Sequence, residues 1–174
     1  MSEQTNLLVA AFKTAIEIEN NGLVTYLKFA RKTRDEFGKN MFIQLALDEF
    51  EHRQILENQL RKLNDSGELK APEIPLTPLE QVVPKIKDKT QRIKGESGLA
   101  DTDALDTALE MERKSARFFT EQAAATPNNE VRALFERLAR WEETHYDIIL
   151  AELDAIQHTG FWFGMPEFRM DGKF

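Results

Sequence analysis

The chain has 174 residues, enough for one domain that buries roughly 70% of the surface its unfolded form would expose. Hydrophobic residues make up 41% and charged residues 30%, a balance suited to a water-exposed fold, and the net charge of −7 leaves no basic stripe for nucleic acid. The absence of cysteine excludes disulfides, thiol catalysis, zinc ribbons and iron–sulfur clusters, so any metal chemistry falls to His and carboxylates. Met1-Ser2-Glu3-Gln4 lacks the features of a secretion signal, and no uncharged stretch approaches the ~18 residues needed to cross a bilayer, so the expected location is cytoplasmic, away from membranes.

Apolar residues recur at steps of three and four through four segments, each predicting a helix with one buried face. The first spans about Thr5 to Phe37, with Leu8, Phe12, Ala15, Leu23, Tyr26 and Ala30 on its stripe. The second spans about Asn40 to Asn64, and Gly38 is expected to break the chain between them. A segment from Asp65 to Leu99 holds four of the six prolines and reads as a long crossover containing a short helix near Leu79 to Ile93. The third helix spans about Thr102 to Ala125, with Asp101 or Thr102 as its N-cap, and Thr126-Pro127-Asn128 turns the chain into a fourth, Asn129 to Gln157. Short turns make each pair an antiparallel hairpin, and the crossover lets helices two and three run parallel. The fold class is all-α, a four-helix bundle over residues 1–159 with its crossover at about 65–100. Residues 160–174 form an aromatic tail packed on the bundle or on a partner subunit.

The two hairpins are copies of one another. An offset of 93 places Glu19 on Glu112, Phe42 on Phe135, Leu45-Ala46 on Leu138-Ala139, Glu49 on Glu142, His52 on His145 and Ile55 on Ile148, without a gap. A bundle of two such hairpins has an approximate two-fold axis, lined by equivalent residues from both halves. Each copy contains Glu-x-x-His, Glu49 to His52 and Glu142 to His145. Residues three apart on a helix differ by ~300° and ~4.5 Å of rise, so the two side chains leave one face. These motifs use two of three histidines; His158 is placed at the end of helix four, beside its terminal carbonyls. Glu19 and Glu112 stand on apolar stripes, where an isolated carboxylate would cost several kcal/mol. Glu17 and Glu110, turned ~200° away, are read as solvated, as are Glu51 and Glu143.

Six candidate ligands follow: Glu19, Glu49, His52, Glu112, Glu142 and His145. Four carboxylates balance two divalent ions, and the donor set suits iron or manganese; zinc can bind, although structural zinc prefers thiolates. A Glu from each of two helices and Glu-x-x-His from each of the others is the pattern known from ferritin-like di-iron bundles.

The chain resembles the rubrerythrin-like di-iron proteins of the ferritin-like superfamily over about residues 5–158. The resemblance rests on Glu19-Asn20-Asn21-Gly22, on Tyr26-Leu27-Lys28-Phe29-Ala30, on Leu45-Ala46 with Glu49 to His52, and on the second copy. It implies Glu49 and Glu142 as bridging ligands, Glu19 and Glu112 as terminal ones, and His52 and His145 each on one metal; Tyr26 is read either as a hydrogen-bond donor to a terminal Glu beside the metals or as an ordinary tyrosine at the core edge. Three features depart from the expected pattern, one of them a crossover longer than in cage-forming ferritins with an aromatic tail after the bundle. The rubredoxin domain with its four cysteines is absent, so electrons are expected from an external donor protein. Ser115 stands where a further Glu is usual, leaving a set closer to bacterioferritin. The function implied is an oxidoreductase holding two iron ions per chain and reducing hydrogen peroxide or dioxygen. Ferroxidase coupled to iron storage or delivery is the alternative, and a structural metal-binding bundle is the third reading. The aromatic run Phe161-Trp162-Phe163 and the habit of ferritin-like hairpins to pair predict a homodimer.

Overall fold

A computed structural model describes residues 3–66, 99–157, 161–162 and 165–166. Four helices carry the fold: α1 (Glu3–Lys32), α2 (Glu36–Ser66), α3 (Leu99–Ala125) and α4 (Asn129–Gln157). At 1.5 Å per residue each is a rod ~40–45 Å long. Two-residue strands β1 (Phe161–Trp162) and β2 (Met165–Pro166) pair antiparallel after α4. The short helix expected near 79–93, His158 and most of the tail lie outside the described residues.

Helix α1 packs along α2 and α3 along α4, which builds the two hairpins. The buried apolar residues form two clusters. One joins Phe12 and Ala15 of α1 to Leu56 and Leu63 of α2, Phe119 and Ala123 of α3, and Val131 to Trp141 of α4. The other joins Tyr26 and Ala30, Phe42 to Ala46, Leu105 to Leu109, and Ile149 with Leu153. Along α2 and α3 the chain runs from the second cluster to the first, so these helices are parallel, as the crossover predicts. The repeat carries Phe12 onto Leu105, from one cluster to the other, so its axis crosses the bundle between them.

The hairpin turns correct the expected boundaries. Helix α1 ends at Lys32 rather than at Phe37, and Gly38 does not break the chain: it lies in the first turn of α2. The turn is Thr33-Arg34-Asp35, because Asp35 caps α2, its Oδ2 accepting from the Gly38 N–H at 2.7 Å. A Cβ at position 38 would sit 3.3 Å from Thr33 Cγ2, slightly tighter than an ordinary contact, and 3.5 Å from Asp35 Oδ2, an ordinary one, so glycine eases the packing of this turn of α2 against Thr33. In the second hairpin Asn128 caps α4, its Oδ1 accepting from the Val131 N–H at 3.0 Å. Asp35 and Asn128 are themselves 93 apart, as are the buried Thr33 and Thr126, whose N–H groups close the preceding helices on Phe29 and Gln122. The repeat therefore includes its turn. Helix α3 begins at Leu99, so Asp101 and Thr102 lie inside it and neither is its cap. Helix α2 likewise runs to Ser66, so the crossover is shorter at both ends than expected.

Removing the cap of α4 leaves a helix-terminal N–H without its partner. Asn128→Ala is expected to lower the unfolding free energy by about 1 kcal/mol, measured by urea denaturation, with native helicity unchanged.

Candidate metal centre

Midway along the bundle, between the two apolar clusters, the apolar stripes are interrupted on all four helices by Glu19, by Glu49 and His52, by Glu112, and by Glu142 and His145. Each falls on the inward stripe: Glu19 is one turn from Ala15, Glu112 one turn from Ala108, and the two Glu-x-x-His pairs follow Leu45 and Leu138. All six are at most 2% exposed, which decides against solvated rim positions. The control carboxylates Glu17, Glu51, Glu110 and Glu143 are exposed, as their angular positions predict.

The six side chains converge. Donor atoms of Glu19, Glu49, His52 and Glu142 lie within 4.8 Å of one another, and so do those of Glu49, Glu112, Glu142 and His145. Glu49 and Glu142 belong to both sets. His52 Nδ1 stands 3.6 Å from Glu19, 3.5 Å from Glu49 and 3.6 Å from Glu142. His145 Nδ1 stands 3.4 Å from Glu49 and 3.8 Å from Glu112. The two imidazoles lie nearly parallel, ring centroids 5.6 Å apart. Gly22 lets α1 approach this point, since a Cβ there would meet Glu49 Cγ and Cδ at 3.2 Å.

Tyr26 donates a hydrogen bond to Glu112 Oε1 across the hairpins, an expected Tyr–Glu bond with its partner now identified. Sequence reasoning missed Asp48 and Trp141. Asp48 is buried, its Oδ2 lies 3.4 Å from His145 Nε2, and its Oδ1 accepts from Gln44 Nε2 at 2.9 Å. Trp141 stacks on His52 at 4.3 Å. The repeat hid both, because Asp48 and Trp141 are each other's equivalents and share no chemistry. Ser115 is half-buried on α3.

The donor set fits a pair of metal ions on its own geometry. Both oxygens of Glu19, Oε2 of Glu49 and of Glu112, Oε1 of Glu142 and the Nδ1 atoms of both histidines are buried without a hydrogen-bond partner. Buried polar atoms are normally satisfied, and so many unsatisfied in one spot require an ion or protons. Electrostatics agree. Burial, and then the neighbouring carboxylates Glu49 and Glu142, hold Glu19 well above the usual carboxyl range. Burial with Glu49 and Glu112 does the same to Glu142. Burial would lower both histidines, but the carboxylates outweigh it: Glu142, Glu19 and Glu49 raise His52, and Asp48, Glu112 and Glu49 raise His145. Burial opposes the ionisation of Glu49, yet contacts with Glu19, His145 and His52 overcome it and keep Glu49 ionised. Without metal, this core collects protons.

Four helices, two by two, closing over a buried cluster of carboxylates and imidazoles define a ferritin-like metal-site bundle. The rubrerythrin family model matches residues 11–153, and the chain belongs to that family. No curated protein matches. Among solved structures, a hypothetical protein from Pyrococcus furiosus superposes with a TM-score of 0.65 at 21% identity, over 87% of this chain and 90% of that one, a likeness of fold.

The pH dependence of the metal-free protein follows. Glu19 and Glu142 have folded values above their ordinary 4.5, and His52 and His145 above 6.5. A raised folded pKa contributes stability that is complete below the unfolded value and is lost as pH rises through the folded one. Glu49, shifted down, has the opposite sign, and its contribution is lost only in strong acid. The melting temperature in EDTA is therefore expected to fall as pH rises above 6.5. Bound metal replaces those protons, so its stabilising effect should be larger at pH 8 than at pH 5. Circular-dichroism melts at both pH values, with and without metal, check this.

Proposed function

We propose that this chain is a di-iron carboxylate oxidoreductase that reduces hydrogen peroxide, or dioxygen more slowly, with electrons from an external donor protein. The observation that carries the reading is the pair of four-residue donor sets sharing Glu49 and Glu142, inside a rubrerythrin-family bundle. In this reading Glu49 and Glu142, common to both donor sets, would be shared between the metals, Glu19 with His52 would hold one and Glu112 with His145 the other; manganese or zinc would also suit the donors. When bound, a pair of irons would supply two electrons together, which with two protons would convert one hydrogen peroxide to two waters. The chain's own part is to hold the site's charge neutral and dry. Tyr26 orients Glu112, and the apolar clusters above and below exclude bulk water. With no cysteine among the 174 residues there is no thiolate-bound cluster to relay electrons, hence the separate donor. A cytoplasmic location is part of the proposal; no helix among the described residues is long and apolar enough to cross a membrane. Ferroxidase action with iron storage or delivery is the second reading, favoured by Ser115 where the resemblance calls for a seventh ligand.

Iron reconstitution should give two ions per chain. In stopped flow, the anaerobically reduced protein should react faster with peroxide than with dioxygen. Glu49→Ala or Glu142→Ala should slow that reaction by more than ~100-fold, beyond the ordinary cost of losing a supporting contact. Glu17→Ala and Glu110→Ala should not change it. Faster reaction with dioxygen would move the assignment to ferroxidase, and an unchanged rate in Glu49→Ala would remove the site from the reaction.

The homodimer is proposed on a different observation. Val24 and Leu27 of α1 and Ile43, Leu47 and Phe50 of α2 are exposed. The approach of Gly22 to Glu49 and the Arg53–Asn20 hydrogen bond set these antiparallel helices in register, which brings Val24 to the level of Leu47 and Leu27 to that of Ile43. At the same five positions hairpin two carries Arg117, Thr120, Glu136, Arg140 and Glu143, so the fold itself does not demand apolar residues there. Glu17 and Arg31 flank Val24 at seven residues on either side, so a second copy laid antiparallel about a two-fold axis sets acid against base. Ile43→Glu with Leu47→Arg, the residues hairpin two tolerates, should turn a dimer into a folded monomer in light scattering. A wild-type monomer at micromolar concentration, or a double variant still dimeric, overturns this interface.

A further inference from the structure

The internal repeat makes the six donors equivalent in pairs, but the residues behind them are not. Behind His145 stands Asp48, with its Oδ2 3.4 Å from Nε2 and its other oxygen held by Gln44 at 2.9 Å. Behind His52, at the equivalent position, stands Trp141, stacked face to face on the imidazole at 4.3 Å and an interplanar angle of 11°. Neither Nε2 makes a formed hydrogen bond, but His145 Nε2 faces the Asp48 carboxylate, whereas the carboxylates around His52 among the described residues all face its Nδ1. The equivalent of Gln44 is Arg137, whose guanidinium lies 5.0 Å from the Trp141 ring centroid. Tyr26 donates to Glu112 Oε1 and leaves Oε2 for an ion; its equivalent is Phe119, which has no hydroxyl, and both oxygens of Glu19 are without a partner.

We propose that the two metal positions are unequal: the Glu112–His145 position is the tight one, filled first, and the Glu19–His52 position is the weak, exchangeable one. This rests on the di-metal reading above. The physical reason is that a histidine ligand binds best when its other nitrogen donates to a carboxylate, which fixes the tautomer and ring and raises the basicity of the coordinating nitrogen. Asp48 is placed to do this for His145: its Oδ2 faces Nε2 at 3.4 Å, longer than a formed hydrogen bond, and a small shift of the ring on metal binding closes that gap while Nδ1 stays toward Glu49 and Glu112. For His52, Nδ1 faces Glu19, Glu49 and Glu142, so metal binding there requires Nε2–H to remain buried with nothing to receive it. Tyr26 fixes Glu112 in advance of binding, whereas Glu19 must be ordered by the ion itself.

Cobalt(II) is the probe, added to the metal-free full chain and followed by calorimetry and by its visible bands. Two binding events are expected, with dissociation constants ten- to a hundredfold apart, the range by which such supporting contacts change metal affinity. At one equivalent, anomalous scattering from crystals should place the ion beside Glu112 and His145. Asp48→Asn should weaken the first event by ~10- to 100-fold and leave the second, and Glu19→Gln should remove the second and leave the first. Equal constants, a first ion beside Glu19 and His52, or a folded Asp48→Asn with an unchanged first constant would each overturn the proposal. The anomalous map of the wild-type chain decides the order without depending on any variant folding. Absence of binding altogether removes the di-metal reading and this inequality with it, whereas two equal sites remove the inequality alone.

Discussion

Four carboxylates and two imidazoles share the dry centre of this bundle, and their mutual charge constrains much of what surrounds them. Carboxylates at such spacing in a low-dielectric interior cannot all stay ionised unless cations or protons sit among them. The chain answers by placing the cluster at the one level where all four helices can contribute, and by sealing it with aromatic and aliphatic residues at both ends. Phe12, Phe119 and Phe135 close one side; Tyr26, Phe42 and Leu105 close the other. Those clusters supply the burial that holds the helices together, and they also keep out the water that would otherwise solvate the charges. Stability and the site therefore oppose each other in the metal-free chain and reinforce each other once cations are bound.

Duplication solved the problem of bringing four helices to one point. A hairpin with one inward Glu on its first helix and Glu-x-x-His on its second supplies half a site, and a two-fold axis completes it. The agreement extends to the turns, where Asp35 and Asn128 cap equivalent helices and Thr33 and Thr126 close the preceding ones. It extends also to the surface between helices, where Arg53 donates to Asn20 and Arg113 to Tyr146, the same two positions with donor and acceptor exchanged. Divergence is concentrated where the fold is indifferent. The outward face became apolar on one hairpin and charged on the other, and the residues behind the ligands became Asp48 on one side and Trp141 on the other.

Helices, hairpin pairing and the six inward side chains were legible in the sequence because each follows from local periodicity. A residue three or four positions from an apolar neighbour shares its face whatever the rest of the chain does, and the repeat at 93 supplied a second reading of each position. The turn was misplaced for a related reason: glycine is the strongest local breaker signal, but the chain bends before Gly38, where Asp35 caps α2 on the Gly38 N–H. The start of α3 was missed because Asp101 and Thr102 have good capping chemistry and nothing local reveals that the helix already began at Leu99.

The sequence by itself determined which residues face inward and that they come in two matched sets, since helical geometry is fixed by 3.6 residues per turn. Only the tertiary structure decided which atoms meet across the hairpins. Tyr26 reaching Glu112, Asp48 standing behind His145 and Trp141 lying on His52 are contacts between residues 86 to 97 positions apart. Their pairing depends on how two hairpins cross and rotate against one another, and that is set by the packing of the Phe, Leu and Trp side chains between them, a property of the assembled core that no local pattern contains.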